Sequence, residues 1–104
     1  MSNQPLSEQY RIIAKQWVDA EAAASLLEET KSARLSQMIC ELPGLPVTRA
    51  EAQVKATPEW TALVSSIVEA RKKANLLKVQ MAYIRMKSGE WQSEEASRRA
   101  EMRL

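Results

Sequence analysis

The sequence predicts an all-α protein built as a long antiparallel helical hairpin, coiled-coil-like and assembled into an oligomeric helical bundle. Three observations carry that expectation. Among 104 residues there are only 2 Gly and no Phe, while Ala, Glu, Lys, Leu, Arg, Gln and Met, the residues of straight helices, fill the chain. Two long stretches repeat their apolar residues at alternating spacings of three and four, and one Pro- and Gly-rich turn separates them. At this length a single domain is expected.

The elements follow in order. Pro5 closes the leader, and Ser7 followed by Glu8 and Gln9 predicts a hydroxyl cap with an early acid, so a first helix is read over about 8–42. From Tyr10, residues Ile13, Trp17, Ala20, Ala24 and Leu27 mark one face, and Leu35, Met38 or Ile39 and Leu42 resume it. Lys31 stands where the next apolar residue belongs, which reads as a register shift in mid-helix. A helix of ~35 residues is ~50 Å long at 1.5 Å per residue, so an elongated molecule is expected.

Pro43, Gly44, Leu45, Pro46 and Val47 make the main turn. Thr48 with Glu51 predicts a capping box for a short helix over about 49–56. Thr57, Pro58 and Glu59 then place a hydroxyl cap, a proline at the first helical position and an acid in the first turn. The long helix that follows, about 58–87, carries Leu63, Ile67, Ala70, Ala74, Leu77, Met81 and Ile84 in four-three spacing, the pattern of a coiled-coil seam. Ser88 and Gly89 predict a bend or break before a helical tail over about 90–102.

The second long helix has apolar residues on two sides. Projected at 100° per residue, Val68, Leu76, Val79, Tyr83 and Met86 lie roughly opposite the seam. One partner helix cannot cover both faces, so Val68, Leu76, Val79 and Met86 are the expected seam of a dimer or higher oligomer.

Composition narrows the function classes. There is no His, one Asp (Asp19) and one Cys (Cys40), so imidazole catalysis, intrachain disulfides and most metal sites fall away. No phosphate loop, paired-Cys spacing or nucleophile elbow is present. The adjacent carboxylates Glu28 and Glu29, and Glu94 and Glu95, read as solvated helix faces. No catalytic, cofactor-binding or metal-binding residue is therefore assigned, and neither an enzyme nor a small-molecule substrate is expected. Cys40 is expected to be a half-buried apolar residue beside Ile39 and Leu42. Trp17 and Trp60 fall on their helices' apolar faces and are expected in the core.

Charge is uneven although its net value is only +2. Residues 1–56 hold six basic and seven acidic side chains, residues 57–104 nine and six, and from Arg71 to Lys87 six basic residues occur without an acid. Arg71, Lys78 and Arg85, spaced by seven, form a row rising ~10.5 Å per step, which Arg99 continues if the helix survives Gly89. Such a row suits a phosphate chain, acids on another helix, or plain solvation. Candidate nucleic-acid or partner contacts are Arg71, Lys78, Arg85, Arg98, Arg99, Tyr83 and Trp91. No run is apolar enough to span a bilayer, so no membrane partner is expected, and the opening MSNQPLSEQYR lacks the pattern of a secretory leader, which makes the cytoplasm the expected location.

Residues Tyr83-Ile84-Arg85-Met86-Lys87, then Trp91, then Ala96-Ser97-Arg98-Arg99-Ala100-Glu101-Met102 resemble the tail of small helical phage-encoded proteins. The resemblance covers about the last 35 residues. In that group the genes often neighbour those for single-strand annealing or single-strand binding proteins. The resemblance implies a phage or prophage origin, location in the host cytoplasm, and a supporting role in DNA recombination or replication. The leading expectation is thus a non-enzymatic interaction protein contacting itself and another protein, in DNA metabolism or against a host system. The alternative is a direct nucleic-acid binder that uses the basic row.

Overall fold

The computed structural model describes residues 4–103. They form three helices, α1 (Leu6–Cys40), α2 (Val47–Lys55) and α3 (Pro58–Arg103), and no strand occurs among the described residues. α1 and α3 run antiparallel as a hairpin, with α2 folded into the connection and packed against both. The molecule measures 84 × 22 × 18 Å, the elongated shape that two helices of 35 and 46 residues require.

The inner seam follows the spacing in the sequence. On α3, Leu63, Ile67, Ala70, Leu77 and Met81 are half-buried, and Ala74 and Ile84 are buried. On α1, Ala20 and Ala24 are buried while Ile13, Trp17 and Leu27 are half-buried. Alanines at mid-seam leave no side chain to hold the backbones apart, so the two helices approach closely there. At the turn end, where α2 adds a third wall, larger residues fill the space. Met38, Val54 and Trp60 form a buried cluster, with Leu35, Ile39, Leu42, Leu63 and Val64 packed around it. Half-buried Leu27 and Leu35 flank the exposed Lys31, whose ammonium lies 5.8 Å from the centroid of the Trp60 ring. The polar residue that interrupts the apolar stripe thus covers the aromatic anchor instead of entering the core.

The helix ends are only partly those the sequence predicts. Thr57 caps α3 as expected, its Oγ1 accepting from the Trp60 N–H at 3.2 Å and donating to the Val54 carbonyl at 2.6 Å. Ser7 does not cap α1. The helix starts one residue before it, and the Pro5 carbonyl accepts from the N–H groups of Glu8 and Gln9 at 3.1 Å. The Thr48 capping box is likewise not made. α2 begins at Val47 after Pro46, whose carbonyl accepts from the Ala50 N–H at 2.9 Å, and Glu51 pairs with Lys55 at 2.8 Å. In both places a proline with φ near −57° stands at the cap position itself, two residues ahead of the expected hydroxyl, and no side chain caps the helix. Gly44, at φ +85°, makes the left-handed step of the turn.

Two further expectations are corrected. The chain does not break at Ser88 and Gly89; α3 continues as one helix to Arg103. The glycine costs ~1 kcal/mol relative to alanine, too little to interrupt a helix of 46 residues, and Leu6, Ser7 and Tyr10 of α1 border an open groove with Ile84, Ser88 and Gly89. Cys40 is exposed rather than half-buried, because Met38 and Ile39 take the inward positions of the last turn and Cys40 falls outside them.

Candidate interaction surface

α3 presents three surfaces: a flank bordering α1, an outer face directed away from it, and an overhang beyond the end of α1. The flank carries the basic row, and α1 occupies most of it. The Arg71 guanidinium donates to Glu28 through Nε at 2.9 Å and Nη2 at 2.7 Å, and to Glu21 Oε1 through Nη1 at 2.7 Å. Hydrogen bonding to Arg71 holds the Glu28 carboxyl below its ordinary value of 4.5, and the two carboxylates in turn raise the Arg71 guanidinium. Arg85 donates to the Tyr10 hydroxyl at 2.6 Å, its guanidinium 5.5 Å from that ring's centroid. Lys78, between them, is exposed and joins no ion pair among the described residues. Of the three readings the row allowed, pairing with another helix is the one met at two of its three members, Arg71 on acids and Arg85 on a tyrosine hydroxyl. The sequence held a signal for this. Glu21 and Glu28 are themselves seven apart on α1 and stand opposite Arg71 once the hairpin closes.

The outer face is apolar and open. Val68, Leu76, Val79, Tyr83 and Met86 are each 55–64% exposed. Lys72 stands among them, and Lys87 borders the Tyr83 ring with its ammonium 5.8 Å from the centroid. Shallow grooves run along the edge of this face, one of them lined by Ile67, Val68, Arg71, Lys72, Leu76 and Val79. Five large side chains in one strip of a single helix form a contiguous apolar patch of the kind that marks a contact surface.

In the overhang, which begins at the groove shared by Leu6, Gly89 and Gln92, Trp91 is 58% and Met102 78% exposed. Arg98 pairs with Glu95 at 2.9 Å, and Arg99 is exposed. The structure thus separates the sequence-derived candidates into Arg71 and Arg85 in the fold, Tyr83 on the outer face, Lys78 on the flank, and Trp91, Arg98 and Arg99 on the overhang.

Among the described residues no cluster of His, Cys, Asp and Glu is arranged to hold a metal ion, and no helix is long and apolar enough to cross a membrane. No family model matches the chain, and neither a curated protein nor a solved structure is similar to it.

Proposed function

We propose that the chain is a non-enzymatic helical interaction protein that acts through protein–protein contacts. The observation carrying this reading is the outer face of α3, where five large apolar side chains are held in water by a helix whose opposite face is already satisfied by α1. Leaving such a strip exposed forfeits ~25 cal/mol for each Å² that burial would remove from water, so a partner that covers it gains that term. The resemblance of the tail to small phage proteins supports a contact in DNA recombination or replication, or against a host system.

The test is a photo-reactive residue at Tyr83 or Trp91, with affinity purification from the native host. A partner cross-linked at these positions and retained at high salt supports the reading. Recovery of nothing but nucleic acid contradicts it.

Direct nucleic-acid binding is the second reading, and one observation favours it: Lys72, Lys73, Lys78 and Lys87 are exposed, with no acid between Arg71 and Lys87. It predicts single-strand binding that falls with salt at a log-log slope of about −0.7 per contacted phosphate. Changing Lys73, Lys78 and Lys87 together to Gln then removes the binding while leaving the Arg71 and Arg85 clamps in place.

A further inference from the structure

The outer face has an internal symmetry that identifies an occupant. Its residues run Lys72, Leu76, Val79, Tyr83, Met86 and Glu90, with spacings of four, three, four, three and four. This order is the same read in either direction, and its midpoint is Met81. The inner seam of the same helix belongs to α1, so the strip is a second, independent heptad stripe on the opposite side.

We infer that this stripe takes the same stripe of a second copy, with the two α3 helices antiparallel and crossing at Met81 about a twofold axis. In that register each apolar layer between Lys72 and Glu90 has an apolar partner, while Val68, further out, falls level with Glu94 of the other copy. Leu76 meets Met86 of the other copy, Val79 meets Tyr83, and the axis repeats both layers. The ends of the stripe then become complementary, because Lys72 of each copy meets Glu90 of the other. Neither residue has an ion-pair partner in its own chain among the described residues.

The parallel arrangement lacks this complementarity. It sets Lys72 against Lys72 and Glu90 against Glu90, so the charges at the two ends select the antiparallel pairing. On one flank of the antiparallel pair, Lys73 of one copy comes near Lys87 of the other. Both are exposed lysines on long stems that splay into water, and their repulsion is screened in a way that apolar burial is not.

The same register continues outward with polar residues, Glu69 opposite Ser93, Ser65 opposite Ser97 and Thr61 opposite Glu101. The flanks thus allow close approach without adding apolar burial. A contact made mainly of four apolar layers lies at the small end of specific interfaces, so the dimer dissociates in the micromolar range. It gives a four-helix layer in the order α1, α3, α3, α1. The hairpins extend in opposite directions, and the Trp91 side chains lie about 30 Å apart along the axis.

This inference rests on reading the outer face as a contact surface, and it names the partner as a second copy. Sedimentation of the full chain from 1 to 200 µM should show a monomer–dimer equilibrium. Glu90→Lys should weaken it by about tenfold, because two attractive pairs become two repulsive ones. Lys72→Glu should do the same, and the double variant Lys72→Glu with Glu90→Lys should return the affinity to within about threefold of the original. Circular dichroism of each variant should report unchanged helicity.

Spin labels provide an arm that does not alter the stripe. In a Cys40→Ser background, labels at Ser65→Cys should lie about 50 Å apart in the dimer, whereas mixing Ser65→Cys with Ser97→Cys protein should bring labels to about 10–15 Å. A monomer at 200 µM, a short distance between two Ser65 labels, or a charge swap that fails to restore affinity each overturns the proposal. A chain that stays monomeric yet cross-links another protein through Tyr83 overturns the dimer and leaves the proposed function standing. A dimer of the expected register with no further partner has the opposite meaning.

Discussion

The two sides of α3 are similar in apolar content and opposite in circumstance. The inner side uses small residues at its centre, Ala70 and Ala74, against Ala20 and Ala24, and it is sealed by Arg71 on the flank and by Trp60 at the turn end. The outer side carries Leu76, Val79, Tyr83 and Met86, all large and all more than half exposed. The difference teaches that hydrophobic content alone does not say which face is the core. Closeness of approach does, because alanines let two backbones meet and hold their register, while large side chains standing in water are available to a separate body.

The comparison can be broken most forcefully at the inner side. Trp60→Ala empties the centre of the Met38, Val54 and Trp60 cluster and should cost about 3–5 kcal/mol, read as a fall in the midpoint of denaturant unfolding. Ala74→Leu forces a branched side chain between helices at a fully buried position and should cost about 1–3 kcal/mol. Leu76→Ala, two residues away on the outer side, should change the stability of the dilute monomer by no more than about 0.5 kcal/mol. Equal losses from Ala74→Leu and Leu76→Ala would erase the distinction between the faces.

Smaller effects sharpen it. At Gly44, φ is +85° and alanine is strained, so Gly44→Ala should destabilise the turn by about 1 kcal/mol. At Gly89 the backbone is helical and a Cβ would meet nothing within 4 Å, so Gly89→Ala should stabilise by about 0.5–1 kcal/mol. Thermal melts of the two variants should therefore move in opposite directions. The Arg71 clamp contributes least, being exposed to solvent and screened by salt. Its sign is fixed nonetheless. Glu28 titrates below its ordinary 4.5 in the folded chain, so the contribution is present above that value and is lost as pH falls through the folded one. Arg71→Gln should lower stability slightly at neutral pH and converge with the unaltered chain as pH falls below about 4.5, so that its acid limb is flatter.

Much of this arrangement is legible in the residues themselves. The four-three spacing from Leu63 to Ile84 names the inner face of α3, and Thr57 with Pro58 marks where the helix starts, both as found. The outer stripe of Val68, Leu76, Val79, Tyr83 and Met86 is equally visible by projection, and the structure leaves it uncovered. Less legible are features that depend on what a residue meets across the hairpin. Arg71 and Arg85 look like members of a free basic row until α1 brings Glu28, Glu21 and Tyr10 alongside. Gly89 looks like a break, yet α3 runs through it beside the first turn of α1. Cys40 looks like a core residue because its neighbours are apolar, yet a helix end turns successive residues to different sides. Local propensity cannot report any of these, since each is decided by register between distant segments.

The central claim is that the inner face of α3 holds the fold while the outer face holds a partner, and Val79→Asp tests it most directly. This variant places a charge at the middle of the outer stripe, where Val79 is 64% exposed in the single chain. Thermal unfolding followed by circular dichroism over a hundredfold range of protein concentration is the measurement. For the unaltered chain the melting temperature should rise with concentration, as a dissociating dimer requires. Val79→Asp should keep full helicity and melt at the temperature of the dilute unaltered chain at every concentration. Loss of helicity in the dilute variant, or a melting temperature of the unaltered chain that does not change with concentration, would contradict it.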